Sequence, residues 1–175
     1  MKYQNKSINL NSVHKMVFVS ILLAFALVLS YVENSFFVLP IPGVKLGLAN
    51  LIILASLYFL NFKEVMLLVI LRVTINSFFG SFFTFWYSLS GGILSFLVMF
   101  LLIRVCKNKI STIGVSVVGA VFHNIGQLIV VMIVTENINV AATYFPILAI
   151  SGIVTGVLIG LTVNYLLPYI KKIID

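Results

Sequence analysis

The chain has 175 residues, of which 62% are hydrophobic and 9% are charged, with a formal net charge of +7. Soluble domains are about 45–50% apolar and about 25% charged, so this composition excludes a soluble globular protein and predicts one that uses lipid as its solvent. Apart from Arg72, the positive charges lie between apolar segments, which argues against nucleic acid as a partner and favours anchoring in a lipid bilayer.

Six apolar segments, separated by polar or Pro/Gly-containing breaks, predict an all-α polytopic membrane protein. We expect one six-helix transmembrane domain over residues 1–175, with a short cytoplasmic tail at residues 1–14. The expected spans are residues 15–34, 45–60, 65–79, 82–105, 110–135 and 141–170. A helix needs about 20 apolar residues to cross a hydrocarbon core of about 30 Å, so spans 2 and 3 are marginal in length.

The first apolar segment has basic residues before it, as a secretory signal peptide does. Its apolar run at residues 16–32 is longer than the roughly 7–15 residues of a signal-peptide core, and no small-residue cleavage site follows. We therefore interpret it as a retained membrane span. The single cysteine, Cys106, excludes an internal disulfide.

The distribution of lysine and arginine between the spans predicts the orientation. With the N-terminus inside, only Lys45 falls among the outer segments, which also contain Glu33 and Glu136. The inner segments contain Lys2, Lys6, Lys15, Lys63, Arg104, Lys107, Lys109, Lys171 and Lys172. The positive-inside rule then places both termini in the cytoplasm, in a multi-pass protein of the cell membrane.

Arg72 lies near the middle of span 3, where a full charge is costly, by about 2.5–3.5 kcal/mol on insertion scales. The side chain must therefore face the bundle interior or a wet cavity. Asn76 follows four residues later and shares its helical face. A buried charge of this kind favours a functional role over a purely structural membrane anchor.

Span 5 contains His123, Asn124 and Gln127, which are spaced so that they lie near one another on the helix. Span 2 contains Asn50. We predict an outward-opening polar pocket whose walls and rim are formed by Arg72, His123, Gln127, Asn50, Asn76, Asn124, Glu33 and Lys45. The alternative for the amide side chains is interhelical hydrogen bonding, which is common in membrane bundles.

Small residues mark two helix surfaces suited to close packing. Gly152, Gly156 and Gly160 form a ridge in span 6 that we expect to pack against another helix within the bundle. Span 1 has small residues at Ser20 and Ala24 with the same four-residue spacing.

Several stretches together resemble one membrane family, and the resemblance covers nearly the whole chain. The specific blocks are Pro-Gly-Val-Lys-Leu-Gly-Leu-Ala-Asn at residues 42–50 and His-Asn-Ile-Gly-Gln at residues 123–127. Further similar stretches are residues 24–33, 62–64, 71–73, 90–95, 119–122 and 151–156. The chain resembles the heptaprenyl diphosphate synthase component I family, also called the Gx transporter family.

That family is in turn similar to the six-helix substrate-binding S components of energy-coupling-factor importers. The resemblance implies docking of span 1 to a membrane coupling subunit with ATPases, here through Ser20, Ala24 and Ala26. It implies an unknown small molecule as ligand and an S-component-like bundle. The alternative that the name implies is a non-catalytic membrane subunit, assisting a soluble prenyl diphosphate synthase subunit in isoprenoid-quinone synthesis, or serving a quinone- or flavin-linked redox system.

The acidic residues argue against intrinsic catalysis. Prenyl diphosphate elongation needs clustered aspartates that hold magnesium on the diphosphate, whereas this chain has one aspartate, Asp175, and three glutamates in separate segments. No nucleotide-binding loop, nucleophile elbow or zinc-ligand spacing is found in the sequence. We expect no enzymatic activity, no catalytic residues, no metal and no cofactor.

Overall fold

The protein is described here by a computed structural model over residues 12–36, 47–78, 82–106 and 109–174. These ranges form six α-helices and contain no strand, which confirms the all-α class predicted from the sequence. The helices are α1 (Ser12–Phe36), α2 (Leu48–Ser56), α3 (Phe62–Ser77), α4 (Phe82–Cys106), α5 (Thr112–Thr135) and α6 (Ile138–Ile174).

Four helices are long and apolar enough to cross a bilayer, namely α1, α4, α5 and α6. The nine residues of α2 rise about 14 Å and the sixteen of α3 about 24 Å, both less than a hydrocarbon core of about 30 Å. The protein is thus a helical membrane protein. Six full crossings and the orientation of the termini stay predictions.

Span 2 differs most from its expected bounds of residues 45–60, because the helix covers only Leu48–Ser56. Gly47, immediately before it, has a left-handed backbone with φ of 73°, which glycine adopts without steric cost. After Ser56 the chain tightens into turns, with the N–H groups of Tyr58 and Phe59 bonded to carbonyls three residues back. The expected start at Lys45 lies outside the described residues.

Residues 61–64, predicted as a tight turn between spans 2 and 3, are instead the start of α3, with Asn61 just before the helix and residues 62–64 in its first turn. The Glu64 carboxylate accepts hydrogen bonds from the backbone N–H of Asn61 at 2.8 Å and from its side-chain amide at 3.3 Å. At the start of α5, Ser111 Oγ accepts from the N–H of Gly114 at 3.0 Å. Both contacts satisfy groups that would lack partners at a helix start. The last helix runs through Pro146 and Pro168, beyond the expected residues 141–170.

The helices α4, α5 and α6 pack side by side through glycines. A Cβ atom added to Gly126 of α5 would lie 2.7 Å from the carbonyl oxygen of Ser90 in α4. On the other face of α5, a Cβ at Gly156 would lie 2.6 Å from Val117 Cα, and one at Gly160 would lie 2.6 Å from Ile113 Cα. These distances are too short for any side chain, so the backbones are in direct contact.

Gly152 belongs to the same face of α6, since its added Cβ would lie 2.9 Å from Asn124 Nδ2. The structure therefore places the whole ridge of Gly152, Gly156 and Gly160 against α5 within one chain. The helices α5 and α6 run antiparallel. The three glycines Gly152, Gly156 and Gly160 contact progressively earlier residues of α5, namely Asn124, Val117 and Ile113.

Polar contacts join α1 to α2 and to α3. At one end of the bundle, Lys15 Nζ of α1 lies 3.4 Å from Glu64 Oε1 of α3. At the opposite end, Glu33 of α1 contacts the start of α2 through the backbone of Gly47. The half of the bundle nearer the Lys15–Glu64 pair is a packed apolar core, which includes Leu54, Leu68, Phe96, Met99, Val115 and Leu167.

Candidate functional site

The other half of the bundle encloses a cavity of about 710 Å³. Its volume falls within the roughly 300–1,000 Å³ typical of small-molecule sites. All six helices contribute to its wall. Its polar lining residues are Ser30, Tyr31, Glu33, Asn34, Asn50, Arg72, Asn76, Ser77, Thr84, Ser88, His123, Asn124, Gln127 and Thr155.

Arg72 is placed in this cavity by the inner face of α3, which also buries Val65, Val69 and Val73. Its side chain is only 6% exposed. The Nη1 group donates a hydrogen bond to Asn50 Oδ1 of α2 at 3.2 Å, whereas Nε has no partner within the described ranges. The guanidinium is therefore buried with its hydrogen-bonding capacity incompletely used.

Glu33 reaches the cavity wall from the end of α1 and is 5% exposed. Its Oε1 accepts from the backbone N–H of Gly47 at 2.6 Å, and its Oε2 accepts from that of Leu48 at 3.0 Å. The carboxylate thus caps α2, where the helix dipole also favours a negative charge. Its charge attracts that of Arg72 electrostatically.

His123 and Gln127 enter the cavity from α5, and Gly91 of α4 makes room for both. A Cβ atom at Gly91 would lie 2.9 Å from Gln127 Cγ and 3.0 Å from His123 Cε1. Gln127 is 2% exposed, and its Oε1 has no hydrogen-bond partner in the described part of the chain. The structure places these α5 residues around the same cavity as Arg72 and Asn50.

Asn124 lines the cavity and also joins α5 to α6, because its Nδ2 donates to the carbonyl of Leu148 at 2.6 Å. This contact matches the interhelical hydrogen bonding that was the alternative for the amides. Asn76 lines the cavity one turn after Arg72. Lys45, the other expected rim residue, lies outside the described residues.

Sequence reasoning missed the hydroxyl groups of the wall. Thr84 and Ser88 of α4 line the cavity four residues apart, and Thr155 does so from α6. The four-residue spacing of Thr84 and Ser88 was an available signal, because i and i+4 residues share a face. Thr155 has the same four-residue spacing from Ser151 in α6.

The expected docking residues of α1 do not all face outward. Ser20 and Ala24 are exposed, whereas Ala26 is 0% exposed inside the bundle. The assignment of Ala26 to a partner surface is therefore wrong for the isolated chain, since one helix cannot present positions 24 and 26 on the same side.

The arrangement is suited to binding a small molecule through a guanidinium, amides and hydroxyls beside an apolar wall. That wall includes Leu27, Val28, Val73, Ile75 and Ile159. Among the described residues, no three His, Cys, Asp or Glu side chains are grouped to hold a metal ion.

Comparison with known proteins gave no match to a curated protein and none to a solved structure. The model of the family described as heptaprenyl diphosphate synthase component I matches residues 22–166. This match covers most of the chain and includes every cavity-lining residue named above. The protein therefore belongs to the heptaprenyl diphosphate synthase component I family.

Proposed function

We propose that this protein is the substrate-binding membrane component of a small-molecule importer. The observation that carries the proposal is the burial of Arg72, which is 6% exposed, in a cavity of about 710 Å³. No described residue accepts a hydrogen bond from its Nε group. Burying a guanidinium is costly unless acceptors compensate it, and a bound molecule supplies such acceptors.

A purely structural use of Arg72 has less support. Asn50, its one hydrogen-bond partner among the described residues, is neutral, and the carboxylate of Glu33 accepts from two backbone N–H groups at the start of α2. A hydrogen bond between two amide side chains would be enough to hold α2 against α3, without a charge in the membrane interior. The polar lining from all six helices supports a ligand site at the same place.

Uphill uptake needs a source of energy outside this chain. The sequence has no nucleotide-binding loop, so an importer of this kind would work with a membrane coupling subunit and its ATPases. We propose the outer face of α1 at Ser20 and Ala24 as the docking surface, because small residues let another helix approach closely.

We further propose that the protein lies in the cytoplasmic membrane with both termini in the cytoplasm. Lys15 of α1 and the first turn of α3 meet at one end of the bundle, and Lys63 lies in that turn. Arg104, Lys171 and Lys172 lie in the last turns of helices that end there. Cytoplasmic loops carry this excess of lysine and arginine.

The family description names a component of a prenyl diphosphate synthase, so the second candidate is a non-catalytic membrane subunit that assists a soluble prenyl diphosphate synthase subunit. In that case the cavity would hold part of a prenyl substrate or product, and the protein would have no transport activity. The two candidates differ in the partner that the protein retains on purification.

Native mass spectrometry of the purified protein tests the proposal. We expect the wild type to retain a small molecule and Arg72→Ala to lose it while staying in the membrane. Lys171→Ala, which removes an exposed cation of α6, should retain the molecule. Failure of Arg72→Ala to insert would favour a structural role. Copurification with a soluble prenyl diphosphate synthase subunit, together with a rise in its activity, would establish the second candidate.

A further inference from the structure

The charges of the cavity wall restrict what the site can bind. Arg72 is the one lysine or arginine among the described lining residues, and Glu33 is the one acidic residue. Among the described lining residues these two charges balance, so a ligand with several negative charges would be left largely uncompensated.

The hydrogen-bonding state of these two groups gives the second restriction. Both carboxylate oxygens of Glu33 accept hydrogen bonds from backbone N–H groups at the start of α2, which fixes this side chain in place. Arg72 donates to Asn50 through Nη1 and has an unpartnered Nε. The guanidinium therefore keeps N–H donors for a further acceptor group, while the carboxylate of Glu33 disfavours ligands that carry several negative charges.

The third restriction comes from the opposite wall. Gln127 is 2% exposed, and its Oε1 has no partner among the residues that the structure describes. Its side chain and the hydroxyls of Ser88 and Thr155 line the cavity without adding charge. A buried amide of this kind is satisfied by a neutral hydrogen-bonding group, whereas an apolar group would leave it unpaired.

We propose that the site selects a monoanionic small molecule, in which one carboxylate is bound at Arg72 and a neutral hydrogen-bonding group, joined to it by an apolar body, is bound near Gln127. This inference rests on the proposed function and specifies its ligand class. It also excludes diphosphates, because a headgroup of several negative charges would meet one guanidinium and the fixed carboxylate of Glu33.

A matched set of ligands with one apolar body tests the charge. The probes are 6-hydroxy-2-naphthoate, its neutral methyl ester and 6-hydroxy-2-naphthyl phosphate, with geranyl diphosphate as a polyanion. Binding to the purified protein in lipid nanodiscs would be measured by calorimetry, with empty nanodiscs subtracted for partitioning into lipid. We expect the carboxylate to bind at least about tenfold more tightly than the ester and than either phosphate compound.

Variants assign the preference to residues. In Arg72→Gln the carboxylate and the ester should bind with about equal affinity. In Arg72→Lys the carboxylate should keep part of its higher affinity, because lysine keeps the charge without the planar guanidinium. Lys171→Gln, which removes a cation outside the cavity, should keep the full advantage. In Gln127→Leu, the naphthoate with the hydroxyl should lose its advantage over 2-naphthoate, which lacks it.

Two results would overturn the inference. The first is equal binding of the carboxylate and its ester to the wild type. The second is binding of geranyl diphosphate that is tighter than that of the carboxylate and is lost in Arg72→Gln. This result would mean that Arg72 binds a ligand but prefers a polyanion. The proposed importer function fails separately, if Arg72→Ala retains the native small molecule.

Discussion

Glu33 near the end of α1 accepts a 2.6 Å hydrogen bond from the backbone N–H of Gly47, which precedes α2. Its second oxygen accepts from Leu48, so one side chain satisfies two N–H groups at the start of a different helix. Helix starts are more often capped by the residue that precedes the helix. The position of α2, and with it that of Asn50, therefore depends on a residue fourteen positions earlier in the chain.

Replacing Glu33 should destabilise the protein. Glu33→Gln leaves one oxygen to accept hydrogen bonds and removes the negative charge at the start of α2. We expect the free energy of unfolding to fall by about 1–3 kcal/mol. We expect a lower midpoint of thermal unfolding in detergent. The matched control is Glu136→Gln, which changes an exposed glutamate just after α5 and should leave the midpoint unchanged. Equal midpoints for both variants would show that the cap contributes no stability.

The contact between α5 and α6 should be sensitive to a single methyl group. In Gly156→Ala the new Cβ would lie 2.6 Å from Val117 Cα, and backbone cannot move aside without separating the helices. We expect a destabilisation of about 1–3 kcal/mol by thermal unfolding.

Gly114→Ala is the control for this substitution. The nearest atom to its Cβ is a side-chain atom of Ile110 at 3.1 Å, which can shift at low cost, and Ser111 Oγ at 3.4 Å is at an ordinary van der Waals distance. Since alanine also favours the helix over glycine, Gly114→Ala should be neutral or stabilising. The α5–α6 contact would be looser than described if Gly156→Ala were equally well tolerated.

Cysteine labelling tests the orientation. In a Cys106→Ala background, cysteines at Ser35 and Asn139 should react with a membrane-impermeant thiol reagent in intact cells, and a cysteine at Asn61 should react only after lysis. The native Cys106, at the end of α4, should also be protected in intact cells. Labelling of Asn61→Cys from outside would reverse the proposed orientation.

The proposed docking surface can be tested by bulky substitutions. Ser20→Trp or Ala24→Trp on the exposed face of α1 should reduce uptake and copurification with the coupling subunit, while ligand binding persists. Leu158→Trp introduces the same side chain on the exposed face of α6 and should preserve copurification. Unchanged copurification of both α1 variants would place the docking surface elsewhere.

Much of the fold follows from local signals in the sequence. Apolar runs predict α1, α4, α5 and α6, because lipid allows few polar residues in a spanning helix. The pair Asn61 and Glu64 marks the start of α3, because the carboxylate bonds the N–H three residues earlier. The short extent of α2 was not predictable from its own residues, since its first N–H groups depend on Glu33.

In the candidate site too, local spacing could be predicted from the sequence, whereas contacts between helices could not. Helical spacing alone predicts that Arg72 lies near Asn76 and that His123 lies near Gln127. The pairing of Arg72 with Asn50 depends on how α2 meets α3 and has no signal in the sequence. Gly91 was recognisable as a small residue, but only the close approach of α4 to α5 shows that it makes space for His123 and Gln127.

The glycine contacts of α5 have a mechanical consequence. Gly126, Gly156 and Gly160 bring α4, α5 and α6 into backbone contact, so separating these three helices would break that contact. His123, Gln127 and Thr155 line the cavity from these helices. On the other side, Glu33 joins α1 to the start of α2, and Lys15 with Glu64 joins α1 to α3. We therefore expect a change in cavity width to come from displacement of α1, α2 and α3 rather than from separation of α4, α5 and α6.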